Sequence, residues 1–283
     1  MPLNRDIAKE KAKLATYPDA AKYGGGSAWS TPAIDTKHGL LYFGTGNPSP
    51  QMDGDTRPGD NLYSLSLVCL DVMTGKIRWH YQQVPHDQWG YDVGSPAVLF
   101  DYIHKGKKVP AVGQAGKIGW YFVHHRLTGE LLLKSDEFVE HKNMFAKPVP
   151  EGVTIYPGAL GGSNWSPSGL DEKKQLAYVA GIHWPVRYTK KVLPATKTQP
   201  ELVYTNLEPD MDAPRWGVLS AIDLRTGKMR WQQKTRDPLV GGVLVTSGGL
   251  VFTGEGSGSF SAMINRTIRG SSGSPTSIRP RSG

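Results

Sequence analysis

The chain has one cysteine, Cys69, in 283 residues. That excludes an internal disulfide, any Cys-x-x-Cys metal or redox motif, and attachment of a c-type haem through Cys-x-x-Cys-His. Its place in Leu67-Val68-Cys69-Leu70 reads as a small apolar strand residue, not a nucleophile. No run of 18 apolar residues occurs and the N-terminus lacks the apolar stretch of a signal peptide, so the sequence alone carries no address. A Gly-rich phosphate loop and a Gly-x-Ser-x-Gly elbow are both missing, which argues against nucleotide enzymes and serine hydrolases. The eight histidines show no zinc-site spacing, and neighbours His124 and His125 fall on opposite faces of any strand. Acidic residues are missing from 263–283, where Arg266, Arg269, Arg279 and Arg281 supply half of the formal net charge of +8. The rest of the chain has an ordinary surface balance, so nucleic acid is not an expected partner.

What is present is a repeat. Cys69-Leu70-Asp71-Val72-Met73-Thr74-Gly75-Lys76-Ile77-Arg78-Trp79 returns as Val123-His124-His125-Arg126-Leu127-Thr128-Gly129-Glu130 and as Ala221-Ile222-Asp223-Leu224-Arg225-Thr226-Gly227-Lys228-Met229-Arg230-Trp231. Each copy is an apolar strand, a Thr-Gly turn and a second strand, ending in Trp in two of the three. Asp71 and His125 lie 54 residues apart, and His125 and Asp223 lie 98 apart, close to two periods. A period of about 50 residues marks the blades of a radial β-architecture. Gly at 34 and Pro at 21 suit such a turn-rich all-β protein.

Three further runs, Gly39–Gly46, Gln175–Gly181 and Gly249–Gly254, are β-favouring and apolar, follow a turn and close on Gly. Strands with no polar face are expected to be buried on both sides, as inside a propeller. Polar insertions at Asn47–Leu62, Glu137–Trp165 and His183–Gly217 are expected to separate the blades and carry function. This reading gives four to five blades over residues 24–262, preceded by a Lys- and Ala-rich surface segment or loose helix at 1–23. At 263–283 the repeat stops and a Ser-, Arg- and Gly-rich tail, a disordered, non-native extension, is expected.

Four stretches carry a resemblance: Gly24-Gly25-Gly26-Ser27-Ala28-Trp29, Tyr42-Phe43-Gly44-Thr45-Gly46-Asn47-Pro48-Ser49-Pro50, Arg57-Pro58-Gly59-Asp60-Asn61-Leu62 and Pro85-His86-Asp87-Gln88-Trp89-Gly90-Tyr91-Asp92. In this order and spacing the chain resembles the pyrroloquinoline-quinone (PQQ) dependent alcohol and methanol dehydrogenases. That family has an eight-bladed propeller, of which this chain resembles the C-terminal half or slightly more. The resemblance implies oxidation of a primary alcohol to an aldehyde in the bacterial periplasm, with PQQ, Ca²⁺ or a lanthanide, and a cytochrome as electron acceptor. PQQ is a flat ortho-quinone with three carboxylates, so it calls for an aromatic platform, cationic and amide donors, a hard cation and a base.

On that resemblance Trp29 is the stacking platform, 18 residues before Asn47, the amide metal ligand. Lys117 sits where the family places a cation on the quinone oxygens, Asn164 matches an amide that contacts the cofactor, and Val240 lies where the family often has an indole. The departure is at Trp89-Gly90-Tyr91-Asp92: the family's catalytic Asp directly follows the Trp, and here that residue is Gly90. Asp92 falls where some members carry an additional Asp associated with lanthanide. On a regular strand Gly90 and Asp92 would share a face, about 6–7 Å apart, making Asp92 the candidate base and second metal ligand. Asp87 would face the other way. The family's acidic metal ligand and vicinal disulfide lie upstream of any matching residue here. The competing reading is a non-catalytic propeller scaffold or inactive remnant, for which a missing base is expected but Trp29, Asn47 and Lys117 together are not.

Overall fold

The Thr-Gly turns close in the same way three times. The amide of Gly75 donates to the Asp71 carbonyl at 2.8 Å, Gly129 to His125 at 2.8 Å and Gly227 to Asp223 at 2.7 Å. The amides of Asp71, His125 and Asp223 in turn donate to Lys76, Glu130 and Lys228. Each turn Gly has φ between 67° and 78°, a backbone region that costs a side-chain-bearing residue about 1–2 kcal/mol. Asp71 Oδ1 adds bonds to the Met73 and Thr74 amides, the local geometry that makes Asp a turn residue.

In this computed structural model residues 24–52, 54–197, 201–209, 212–264 and 277–278 are described, together with positions 8, 11 and 12. Four four-stranded antiparallel sheets follow one another along the chain. The first is Ala33–Asp35, Leu40–Gly44, Ser66–Asp71 and Ile77–Gln82; the second is Val98–His104, Lys107–Ala115, Tyr121–His125 and Leu131–Lys134. The third is Gly169–Asp171, Leu176–His183, Trp216–Asp223 and Met229–Thr235; the fourth is Val243–Val245, Leu250–Gly254, Phe260–Ile264 and Ser277–Ile278. Strands run in chain order across every sheet, the up-and-down meander of a propeller blade, and the four sheets do not close into a ring.

The apolar clusters lie between blades. Leu40, Tyr42, Leu67, Cys69 and Trp79 of the first blade pack against Val112 of the second, with Ala97 just ahead of it. Phe100, Tyr102, Ala111 and Val123 of the second meet Ala177, Val179, Val218 and Ile222 of the third. Tyr178, Leu219 and Ala221 of the third meet Val243, Val251 and Met263 of the fourth. Every residue of Leu176–His183 is buried, so its unbroken apolar run reflects a sheet covered on both faces. Polar latches fix the seams. Trp79 Nε1 and Tyr42 Oη both donate to the Arg126 carbonyl, at 2.8 and 3.0 Å, and Arg126 Nε lies 2.8 Å from the buried carboxylate of Asp35. Tyr102 Oη reaches the Leu224 carbonyl at 2.8 Å, and Gln175 accepts from Ile103 and donates to Asp101.

Three expectations need correction. Two of the insertions sit inside blades, not between them: 47–62 and 184–215 both join the second strand of a blade to its third. The latter holds strands of its own, since Val186–Leu193 pairs with Val153–Ile155 and with Leu202–Pro209. At the other end, Met263 and Ile264 still belong to a strand, and Ala262 and Met263 pair with Ile278 and Ser277, so strand structure does not stop at 262. The remainder of the expected tail, and nearly all of the expected N-terminal helix, lie outside the described residues.

Candidate functional site

Glycine packing brings two loops together beside the first blade. A Cβ on Gly44 would stand 1.8 Å from the Val93 carbonyl oxygen, so only glycine lets segment 92–94 lie flat against the end of strand Leu40–Gly44. The Val93 amide donates to the Thr45 carbonyl at 3.2 Å, and Gly46 donates to Ser27 at 2.8 Å. Asn47 and Asp92 are thereby neighbours: the Asn47 amide donates to Asp92 Oδ1 at 2.8 Å. Lys117, in the turn after Lys107–Ala115, closes the group by donating from Nζ to Asp92 Oδ2 at 2.7 Å and to the Gly90 carbonyl at 3.0 Å. Both side chains of this ion pair are nearly buried, at 9% and 13% exposure.

Trp29 borders the same group. A Cβ on Gly94 would meet its ring at 2.4 Å, and one on Gly46 would lie 2.8 Å from each of Trp29 Nε1, Asp92 Oδ1 and Ser27 Oγ. The absent side chains let an indole, a hydroxyl and a carboxylate pack directly against the backbone here. Asn164 arrives by a different route. Gly162 packs so tightly on Lys117 that a Cβ would stand 2.0 Å from its carbonyl oxygen, and the Ser163 amide donates to Gly116 at 3.1 Å. Asn164 Oδ1 is buried with no hydrogen-bond partner among the described residues, a costly state that a donor on a bound group would relieve. Trp165, the next residue, places its ring 4.4 Å from that of Trp29. Val240 does not join them; it is exposed, on the connection leading into the fourth blade.

The regular strand expected through Trp89–Asp92 does not form. Residues 83–97 are loop, and Gly90 has φ of 84°, which ends the alternation of faces on which the exclusion of Asp87 rested. Asp87 is fully buried and converges on the same residue as Asp92: Asn47 Nδ2 donates to Asp87 Oδ2 at 2.7 Å. Burial pushes the Asp87 carboxyl above its ordinary value, against the pull of the Trp89, Asn47, Tyr91 and Gly90 donors. Arg57, also buried, donates to the Asp87 carbonyl and to Asn61 Oδ1, fixing the loop from behind. Asp87 is thus the residue that sequence reasoning dismissed. Its signal was the Pro-His-Asp-Gln-Trp context, but only the backbone reveals its direction. The space beside Gly90 is taken by Met52, whose Cε would lie 2.5 Å from a Cβ there. A cavity of about 250 Å³ lined by Met52, His86, Gln88 and Lys190 is separate, since none of Trp29, Asn47, Asp92 and Lys117 lines it.

Among the described residues no three His, Cys, Asp or Glu side chains gather as a metal site. The site offers the Asn47 amide oxygen, bonded to Gln51 Nε2 at 3.1 Å, and the Asp92 carboxylate. An all-oxygen pair fits Ca²⁺ or a lanthanide and supplies part of the six to eight oxygens that Ca²⁺ takes. The buried Lys117 ammonium likewise fits a planar anionic group beside Trp29, and the Asn164 oxygen fits a donor on such a group.

Fold and site together define a bladed β-protein with a polar site of amide, carboxylate and ammonium beside an indole. Two stretches, 4–139 and 134–267, match the family described as the PQQ "Glucose/ethanol/alcohol dehydrogenase, beta-propeller domain". A quinoprotein ethanol dehydrogenase from Pseudomonas putida is 33% identical over 292 residues, covering 93% of this chain and 46% of that protein. The quinohemoprotein alcohol dehydrogenase structure from Comamonas testosteroni superposes with a TM-score of 0.76 at 28% identity, over 92% of this chain and 43% of that one. A europium-containing methanol dehydrogenase gives 0.74 at 27% identity, over 94% and 50%. The chain belongs to the PQQ-dependent alcohol dehydrogenase β-propeller family, and it spans about half the length of the relatives it matches.

Proposed function

We propose that this chain forms the PQQ- and cation-binding part of a quinoprotein dehydrogenase that oxidises a primary alcohol to an aldehyde. The observation that carries the reading is the hydrogen-bonded run Asn47–Asp92–Lys117 beside Trp29. PQQ, when bound, supplies the two-electron acceptor. Trp29 is the platform on which its rings stack, and Asn164 Oδ1 accepts from it. Asn47 and Asp92 hold Ca²⁺ or a lanthanide through oxygen. Lys117 brings a buried positive charge to the quinone edge, where negative charge develops on reduction. Asp92, next to that ammonium, takes the alcohol proton in place of the acid absent at Gly90. A c-type cytochrome is the electron acceptor and the periplasm the compartment, both on the strength of family membership.

The filled space at Gly90 favours the second reading, a scaffold without catalysis, because no carboxylate occupies the family's base position. Titration of PQQ with Ca²⁺ or La³⁺, followed by quinone absorbance and Trp quenching, separates the two. Saturable, cation-dependent quenching that weakens in Trp29→Phe supports the enzyme site. No binding with either cation leaves only the scaffold.

A further inference from the structure

We propose that Asp87 is the positioning residue that decides which end of the Asn47 carboxamide faces the cation. This rests on the reading of Asn47 as a metal ligand. An Asn side chain has an oxygen that ligates a hard cation and a nitrogen that does not, and the two ends are nearly the same shape. Something must therefore choose between two orientations half a turn apart.

The choice is built into the loop. The amides of Trp89 and Tyr91 donate to Asp87 Oδ1 at 3.2 and 3.3 Å, and the Gly90 amide donates to Oδ2 at 3.1 Å. With three backbone donors aimed at it in a fully buried position, Asp87 serves as an acceptor on both oxygens. Only the nitrogen end of Asn47 can meet Oδ2 favourably, and it does so at 2.7 Å. The Asn47 oxygen is then turned to the opposite side, where Gln51 donates to it from an exposed position that a cation can displace. Asp92 accepts from the Asn47 backbone amide and so fixes the residue without discriminating the two ends of its side chain.

The test exchanges the two groups. In Asp87→Asn the oxygen of the new amide is retained by the two donors Trp89 and Tyr91, its nitrogen gives up the single Gly90 donor and faces Asn47, and Asn47 reverses. Tb³⁺ uptake in the presence of PQQ, read by Trp-sensitised luminescence, is expected to weaken about 10- to 100-fold, the usual cost of losing a partner behind a metal ligand. Adding Asn47→Asp supplies an oxygen at both ends, so D87N/N47D regains most of the about 10- to 100-fold loss. A role of Asp87 confined to its three backbone bonds would not be repaired by a change at 47. Equal uptake by the wild type and D87N overturns the inference alone, as does a folded double variant no better than D87N. If D87N fails to fold by circular dichroism, the double variant, which keeps an amide facing a carboxylate, decides the matter. A wild-type chain that takes up no Tb³⁺ overturns the reading of the site, and this inference with it.

Discussion

Removing the Lys117 ammonium should cost more than surface electrostatics allow, and the cost should depend on Asp92. In Lys117→Met the methionine fills similar space, but among the described residues the Asp92 carboxylate, 13% exposed, keeps only the Asn47 amide as a donor. Breaking a buried pair from one side costs about 3–5 kcal/mol, and the residual exposure puts this case near 3. Asp92→Asn leaves the ammonium with the Gly90 carbonyl at 3.0 Å, so about 2 kcal/mol is expected. The double variant removes both charges and strands neither. Its loss should be about 3 kcal/mol instead of the additive 5, a coupling of about 2 kcal/mol. Urea unfolding of the four proteins, with thermal midpoints falling roughly 2–4 °C per kcal/mol, measures all three terms. Losses that add to within about 0.5 kcal/mol would show that the two side chains do not share a desolvated contact, and the argument for a charged cofactor site around them would lose its main support.

The turn glycines separate backbone strain from crowding. Gly75→Ala meets nothing within 4 Å and should cost only the positive-φ penalty of about 1 kcal/mol, whereas Gly129→Ala also drives a Cβ to 2.7 Å from the Trp79 ring and should cost about 2–4 kcal/mol by urea unfolding. Equal losses would mean that Trp79 does not dock on the neighbouring blade's turn. His124, buried among Trp79, Tyr81 and Phe122, is pushed down to about 4 by desolvation, against the raising effect of the Gly129 carbonyl. The unfolded chain takes up this proton below about 6.5 and the folded protein only near 4, so its contribution is complete above pH 6.5 and is lost as pH falls toward 4, by about 3 kcal/mol in all. Unfolding at pH 7.5 and 4.5 should show most of that loss, about 2.5 kcal/mol, and His124→Gln should flatten it; an unchanged slope in the variant refutes the assignment. Gly90→Asp, which restores the family's acid, should cost about 1–3 kcal/mol, because φ is 84° and Met52 occupies the space; a variant as stable as the wild type would show that the loop readily gives way there.

The blades were legible because their signals are local. An Asp-x-x-Thr-Gly turn needs only its own five residues to close, and an apolar run such as Leu176–Ile182 declares burial on both faces wherever its partners come from. Asn47 and Lys117 were singled out through resemblance, with no local pattern of their own, and the structure brings both to Asp92. What failed was an inference carrying local regularity into a segment where tertiary contacts rule. The parity argument at 87–92 assumed a strand, yet this stretch lies in the 83–97 loop, held by Gly44 and Gly94 packing and by Lys117 reaching the Gly90 carbonyl. Gly90 has φ of 84° within that loop, so no alternation of faces runs from Asp87 to Asp92, and both carboxylates turn toward the same asparagine. The position expected to hold the base and the two carboxylates that meet Asn47 therefore share one loop. Catalytic competence in this chain is then a question about Asp92 and the loop together, and comparison at position 90 alone does not decide it.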